Sequence, residues 1–146
     1  MAVLRPHTVI VIKEALLEDV YRIRHEVLWP GKPLDFVKVE DDENGWHFGV
    51  YENDMLVSVI SLFPDSDGKS VRFRKFATLD HFQNRGFGKK LLVFGMEYSK
   101  TSGLERIWCD ARADALLFYE RLGFVKFSEV FLKEGLEYYK IERQIR

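Results

Sequence analysis

The chain has 146 residues, of which 47% are hydrophobic, including twelve Phe and three Trp, and this composition predicts one packed globular domain spanning residues 1–146. Its formal net charge of -1 gives no electrostatic case for nucleic-acid binding. A single cysteine excludes an intrachain disulfide and a cysteine-based metal cluster, and the absence of a long apolar run argues against a membrane span or a signal peptide. The expected location is the cytoplasm.

The first third of the chain predicts a strand, a helix and an acidic loop. His7 to Ile12 is β-branched and apolar, whereas Glu14 to Leu28 repeats apolar residues at helical spacing, at Leu16, Val20, Ile23 and Val27. The following loop ends in the acidic run 40–43. Such runs are usually solvated, but Asp42 and the nearby His47 are also candidates for contact with a cationic substrate.

Three antiparallel strands are expected next. Trp46 to Tyr51 and Met55 to Phe63 flank the short turn 52–54, which predicts a hairpin, and Ser70 to Leu79 follows a second turn. The last of these strands carries Arg72, Arg74 and Lys75, so it is expected to have an exposed face that holds salt bridges.

A glycine-rich turn between that strand and the next helix predicts a phosphate site. Gly86 and Gly88 open a helical segment, and glycine permits a tight turn and close approach of a ligand. The first amides of a helix lack intrahelical acceptors, and the helix dipole is positive there. Amides from Gln83 to Lys89 could therefore bind phosphate, with charge from Arg85, Lys89 and Lys90. The pattern matches neither a P-loop nor a dinucleotide fingerprint, and two glycines alone are equally consistent with ordinary turn geometry.

The remainder predicts a crossover and a closing hairpin. A helix from Gly88 to Ser102 leads into a strand, Arg106 to Ala111, which must run parallel to the preceding strand if the two are adjacent. Cys109 in that strand is expected to be a buried, inert thiol. A short helix with Tyr119 on its apolar face follows, then strands at Phe124 to Phe131 and Leu136 to Ile145.

Two segments carry a resemblance to a known family. Gln83 to Gly88, QNRGFG, resembles the Q/R-x-x-G-x-G/A motif of the GNAT acetyltransferases, and Arg112 to Phe124 is similar to the N-x-x-A-x-x-F-Y-x-x-x-G-F segment of the same family. The resemblance extends from about Val9 to the C-terminus and is strongest from Arg72 to Phe124. It implies an α+β fold in which a mixed, mostly antiparallel sheet of six to seven strands is flanked by about four helices.

The resemblance also implies acetyl-CoA as cosubstrate and a set of residues that bind it. These are expected to be Phe76, Ala77, Thr78, Gln83, Asn84, Arg85, Gly86, Phe87, Gly88, Lys89, Arg112 and Tyr119. A bulge in the strand near Phe76 would leave its backbone able to pair with the pantetheine arm. Arg112 departs from the family pattern, because many members have Asn there.

The chemistry implied is transfer of acetyl to a primary amine of a small molecule or peptide in a ternary complex, without a metal. Tyr119 is the expected acid for the departing thiolate, since a phenol is protonated at neutral pH; by periodicity alone it would be a core residue. The general base is open among Glu129, Asp42 and His47, and Tyr138 is a further candidate for contact with the acceptor. A homodimer through the closing strands is compatible with the sequence.

Two other functions are compatible with the same residues. One is a noncatalytic acyl-CoA-binding module, because a fold alone does not establish a reaction. The other is a nucleotide-binding α/β protein unrelated to this family, which nucleotide but not CoA would stabilise.

Overall fold

The computed structural model describes residues 7–146, so residues 1–6 of the expected domain lie outside the described part. Within this described part, eleven helices and strands follow one another. They are β1 (Ile10–Glu14), α1 (Leu17–Leu28), β2 (Trp46–Glu52), β3 (Met55–Pro64), β4 (Ser70–Thr78), α2 (Phe87–Thr101), β5 (Arg106–Arg112), α3 (Leu116–Arg121), β6 (Val125–Lys126), β7 (Phe131–Lys133) and β8 (Leu136–Gln144).

The strands form one eight-stranded sheet in the order β1-β2-β3-β4-β5-β8-β6, and β7 also pairs with β8. β1 is antiparallel to β2, and β5 is antiparallel to β8. β4 and β5 are parallel, as expected for strands joined by a helical crossover through α2. The predicted α+β class with a mixed, mostly antiparallel sheet is confirmed.

The structure differs from the expected element count in two places. The loop between α1 and β2 forms only short 3-10 turns at 34–37 and 42–44, so the described residues contain three α-helices. The predicted strand from Phe124 to Phe131 is interrupted, and its two parts, β6 and β7, pair separately with β8. Between them the Lys140 amide donates its hydrogen bond to the Ser128 hydroxyl and not to a backbone carbonyl of the opposite strand, which breaks the ladder.

Two strand features follow from local backbone chemistry. The turn between β2 and β3 places Asn53 and Asp54 at φ of 49° and 68°, the left-handed geometry that two-residue hairpins favour. Within β4, Lys75 has a φ of 54°. A left-handed residue inside a strand is typical of a bulge, which was expected at this position.

The described residues form two compact units. The first comprises Met1–Ser61, described from residue 7, and Lys75–Phe94. In its core Val20 and Ile23 of α1 pack with Leu56, Val59 and Ala77. Leu16, predicted to lie in the buried stripe, is 66% exposed because it is the extended residue that precedes α1.

The second unit comprises Leu62–Arg74 and Gly95–Arg146. In β5 the residues Ile107, Cys109 and Ala111 are buried, and the residues between them are half-buried, so this strand has one covered and one partly open face. A cluster of rings, formed by Phe73, Tyr119 and Phe124, fills part of the covered side. Whether the whole chain is one domain stays a prediction.

No helix between residues 7 and 146 has the length and apolar character that crossing a membrane would require.

Candidate active site

The phosphate cradle, which we define as residues 83–88, lies in the first unit; it follows a short 3-10 turn and includes the first two residues of α2. Asn84 and Gly86 have φ values of 61° and 81°, so the backbone alternates between left-handed and right-handed conformations through the turn. Such alternation directs successive N–H groups toward one side and forms an anion-binding concavity. A Cβ added at Gly86 would meet nothing within 4 Å, so glycine is needed there for backbone conformation and the space beside it is open.

The start of α2 completes the cradle. The Lys90 amide bonds back to the Gly86 carbonyl at 3.0 Å, so the amides of Phe87, Gly88 and Lys89 precede the first intrahelical bond. The Phe87 side chain is buried, which leaves its backbone amide as the part able to reach a ligand. At Gly88 an added Cβ would lie 3.2 Å from the Phe76 ring, so glycine here lets the helix start approach β4 closely.

Side chains also fix the cradle to the strand before it. Gln83 donates from Nε2 to the Thr78 carbonyl at 3.0 Å. The Ser58 hydroxyl contacts the Ala77 carbonyl at 3.2 Å and the Thr78 hydroxyl at 2.8 Å. The end of β4 is therefore held from β3 and from the cradle.

Arg85 does not add an uncompensated charge to the cradle. Its guanidinium makes two hydrogen bonds to the Glu52 carboxylate, at 3.0 and 2.8 Å, and lies 4.8 Å from the centroid of the Phe87 ring. The sequence did not indicate the Glu52 partner, which lies thirty-three residues away. Lys89, in contrast, is exposed at the start of α2.

The predicted acceptor residue Asp42 belongs to a buried ion pair in the first unit. Its two oxygens accept from the Arg24 guanidinium at 2.9 and 2.8 Å, and Arg24 is 0% exposed. Burial alone would raise the pKa of Asp42, but hydrogen bonds from Arg24 and the Val39 amide, with the charge of Arg24, outweigh burial and lower it. A carboxylate so stabilised is a poor proton acceptor.

His47 is bound into the same network by both ring nitrogens. Nδ1 lies 2.7 Å from the Ser61 hydroxyl, which also accepts from Arg24, and Nε2 lies 2.7 Å from the Asp42 carbonyl oxygen. Because a carbonyl oxygen only accepts, Nε2 must carry a hydrogen. Neither ring nitrogen is open to take a proton from a substrate in this arrangement.

Tyr119 lies in the second unit and is 9% exposed. Its ring packs against Phe73, Phe118 and Phe124, with centroid distances of 5.9, 5.1 and 5.8 Å. Burial, with a smaller contribution from Cys109, raises the pKa of the Tyr119 phenol far above its usual value. The hydroxyl is therefore protonated at neutral pH.

Burial likewise raises the pKa of the Cys109 thiol, which is 3% exposed, so its nucleophilic thiolate form is suppressed. This agrees with its expected inert role.

The other predicted site residues of the second unit differ in burial and in the elements that carry them. Arg112 ends β5 and pairs in register with Tyr138 of β8. Tyr138 is 8% exposed and stacks on Phe131 at a centroid distance of 5.9 Å. Glu129, expected within the closing strand pair, instead lies exposed in the irregular segment between β6 and β7.

Sequence reasoning missed Arg24, Ser61 and Ser58 as elements of the site's support. A signal existed for Arg24, because it lies four residues after Val20 and is thus on the buried side of α1. Ser58 and Ser61 gave little signal, since small hydroxyl residues are common in buried strands. Among residues 7–146, no three His, Cys, Asp or Glu side chains come together in the way metal ligands would.

Comparison with known proteins shows a match to one family that includes both the cradle and the segment around Tyr119. The model of the acetyltransferase (GNAT) family matches residues 14–124. YitI of Bacillus subtilis (strain 168), named as an uncharacterised N-acetyltransferase, is 30% identical over 132 residues, which cover 86% of this chain and 89% of that protein.

Solved structures show the same fold at lower identity. An aminoglycoside 6'-N-acetyltransferase complexed with coenzyme A has a TM-score of 0.80 at 13% identity, with 93% of this chain and 97% of that chain covered. The ribosomal-protein-S18-alanine N-acetyltransferase of Escherichia coli has a TM-score of 0.75 at 18% identity, with 94% of each chain covered. The chain belongs to the GNAT family of N-acetyltransferases, which are acyltransferases dependent on acetyl-CoA.

Proposed function

We propose that this protein transfers acetyl from acetyl-CoA directly to a primary amine of a small molecule or peptide, within a ternary complex. The observation that carries the proposal is the cradle: Asn84 and Gly86 are left-handed immediately before the open N-terminus of α2. This geometry suits a diphosphate, and it occurs where the family motif predicts it.

The cradle and the start of α2 supply the hydrogen-bond donors and the positive charge that the diphosphate of the coenzyme needs. The backbone amides at 84–89 would hold the diphosphate, with Lys89 adding charge and Gln83 keeping the turn against β4. The coenzyme supplies the acetyl group as a thioester. Arg85 would reach phosphate only by exchanging its Glu52 partner, so we assign it a supporting role in the cradle.

We further propose that Tyr119 donates a hydrogen bond to the departing thiolate. Its raised pKa makes full proton release costly, but it guarantees that the phenol carries a hydrogen to donate. Donation from a buried hydroxyl to a developing negative charge is the kind of interaction that strengthens in the transition state.

The acceptor must lose a proton before or during attack, because an ammonium has no lone pair. Asp42 and His47 are held by Arg24 and Ser61 and are better explained as structural supports. The exposed carboxylate of Glu129 is the remaining candidate base from the sequence, and Tyr138 stays a predicted acceptor contact.

A noncatalytic acyl-CoA-binding role is separated from catalysis by one measurement. We expect acetyl-CoA-dependent thiol release when the protein is incubated with a panel of primary amines, and none when each amine is replaced by its N-acetylated form. Stabilisation of the protein by CoA without thiol release from any amine would support the binding module and contradict the transferase.

The cradle makes its own prediction through Gly86→Ala. Alanine at a φ of 81° costs about 1–2 kcal/mol, and a shifted turn would no longer present its amides to phosphate. CoA at about 100 times its Kd should stabilise the wild-type protein by about 2.7 kcal/mol, measured as a shift in Tm, and this gain should largely disappear in the variant.

Gly68→Ala provides the matched control. Gly68 also has a positive φ, 71°, and a Cβ there would also meet nothing within 4 Å, but it lies in the turn before β4 and not in the cradle. Both variants should lose similar stability without ligand, whereas Gly68→Ala should keep the full gain from CoA. An equal CoA response in the two variants would argue against phosphate binding at 83–88.

A further inference from the structure

A group of cations surrounds one carboxylate on the partly open face of the second unit. Asp110 of β5 accepts from Arg72 Nη2 at 2.8 Å and from Lys140 Nζ at 2.9 Å, one cation to each oxygen. Lys133 Nζ lies 3.5 Å from the oxygen that Arg72 already occupies. We call Arg72, Lys133 and Lys140 the cation cluster.

The cation cluster carries more positive charge than Asp110 can balance. Three cations face a single carboxylate, whereas neighbouring Arg106 has its own partner in Glu142 at 2.7 Å. The Asp110 side chain is 8% exposed, while those of Arg72, Lys133 and Lys140 are 24%, 40% and 39% exposed. The excess charge is therefore accessible to solvent and to a ligand.

Aromatic rings hold the cations in place. Arg72 and Lys140 lie 4.8 and 5.0 Å from the centroid of Trp108, and Lys133 lies 5.1 Å from that of Tyr138. Trp108 is itself fixed by donating from Nε1 to Asp65 at 2.7 Å. Cations arranged over rings lose little freedom when they bind an anion, because their positions are already restricted.

Lys133 is the member least satisfied by its present contacts. Among residues 7–146 its one hydrogen bond, to Asp110, is long at 3.5 Å, although an ammonium has three hydrogens to donate. Burial lowers the pKa of Lys133, and repulsion from Arg72 and Arg74 lowers it further, against the opposing effect of Asp110. An additional anion beside it would relieve this repulsion.

We propose that the cation cluster binds the carboxylate of a small amine acceptor, so that the enzyme prefers amines that also carry an acidic group. The proposal rests on the proposed acetyltransferase function, in which the cradle holds the phosphates of the coenzyme and the second substrate needs another site. The cluster is compact, since its three cations gather around one carboxylate, and this suits a single small anion better than an extended polyanion. This acceptor class is opposite in charge to the cationic amine suggested by the acidic loop, whose Asp42 is turned into the core.

The kinetic test compares 4-aminobutyrate with 4-aminobutanamide, which differ in the charge of the group remote from the amine. Wild-type protein should show the lower KM for 4-aminobutyrate. Lys133→Met, which keeps chain length and removes the charge, should raise that KM about fivefold while leaving kcat and the KM for 4-aminobutanamide nearly unchanged. Lys133→Arg should restore most of the preference.

Lys126→Met is the matched control, because Lys126 also lies over a tyrosine ring, 4.7 Å from the centroid of Tyr139, but has no contact with Asp110. It should leave both KM values unchanged. Equal KM values for the two amines in wild-type protein, or equal effects of Lys133→Met on both, would overturn the proposal.

Calorimetry without acetyl-CoA separates this inference from the transferase function. CoA-loaded protein should bind 4-aminobutyrate more tightly than 4-aminobutanamide, and Lys133→Met should remove the difference. Were this binding observed while no amine released thiol from acetyl-CoA, the transferase proposal would fail and the carboxylate site would stand. Absence of binding by 4-aminobutyrate alongside normal thiol release from neutral amines would overturn the carboxylate site alone.

Discussion

Asp42→Asn is expected to lower the free energy of unfolding by about 3–5 kcal/mol, because it leaves the Arg24 guanidinium charged and unbalanced in the core. Arg24 is 0% and Asp42 3% exposed, so water cannot take over the lost interaction. Asparagine has nearly the shape of aspartate, and the effect therefore reports charge more than packing. Urea denaturation at neutral pH measures it.

Asp41→Asn is the control, since Asp41 precedes Asp42 in the chain but is exposed, and it should change stability by less than about 0.5 kcal/mol. Arg24→Met should be destabilising alone, but less so in combination with Asp42→Asn, because the double variant has no unpaired buried charge. Additive losses in the double variant would contradict a coupled ion pair.

The same pair sets a pH dependence. Asp42 has a lowered pKa in the folded protein, so its contribution to stability is fully present above the unfolded value of about 3.9 and is lost as pH falls through the folded pKa. The deficit of Asp42→Asn relative to wild type should therefore be constant near neutrality and shrink below about pH 4. A deficit that grew on acidification would mean that Asp42 is not the stabilised carboxylate.

Sequence reasoning predicted the tight glycine turn before α2 and the parallel direction of β4 and β5, because both depend on short-range chemistry. Glycine before a helical period specifies the turn at 86–88, and a helix between two adjacent strands requires them to be parallel, as β4 and β5 are. The residues with these effects lie close together in the chain.

What could not be predicted depends on contacts between distant residues. The acidic run around Asp42 is indistinguishable from a solvated loop until Arg24, eighteen residues earlier, is seen to reach it. The predicted strand 124–131 is interrupted because the Ser128 hydroxyl accepts a hydrogen bond from the Lys140 amide. The spacing of apolar residues gives no indication of this contact. Likewise, the charges of β4 predict a face that holds salt bridges, but they do not identify Asp110 as the partner of Arg72 or Lys133 and Lys140 as its neighbours.

Tyr119→Phe is expected to lower kcat about 100-fold, because it removes the proposed hydrogen bond to the departing thiolate. The ring contacts with Phe73 and Phe124 do not need the hydroxyl, so the free energy of unfolding should change by no more than about 1 kcal/mol. The KM for acetyl-CoA should stay within about twofold, since the interaction belongs to the transition state. Steady-state thiol release measures both constants.

The pH profile distinguishes this role from one in which Tyr119 merely shapes the core. Because burial raises the pKa of the phenol above its usual value, wild-type kcat should show no alkaline decline from this group up to about pH 10. Tyr139→Phe is the control, because Tyr139 is half-buried in β8 of the same unit and has no assigned role in the reaction. If Tyr119→Phe kept wild-type kcat across this range, the thiolate would have to be stabilised by another donor. An alkaline decline in kcat that disappeared in Tyr119→Phe would instead show that the phenol ionises within the working range, against the effect expected of its buried site.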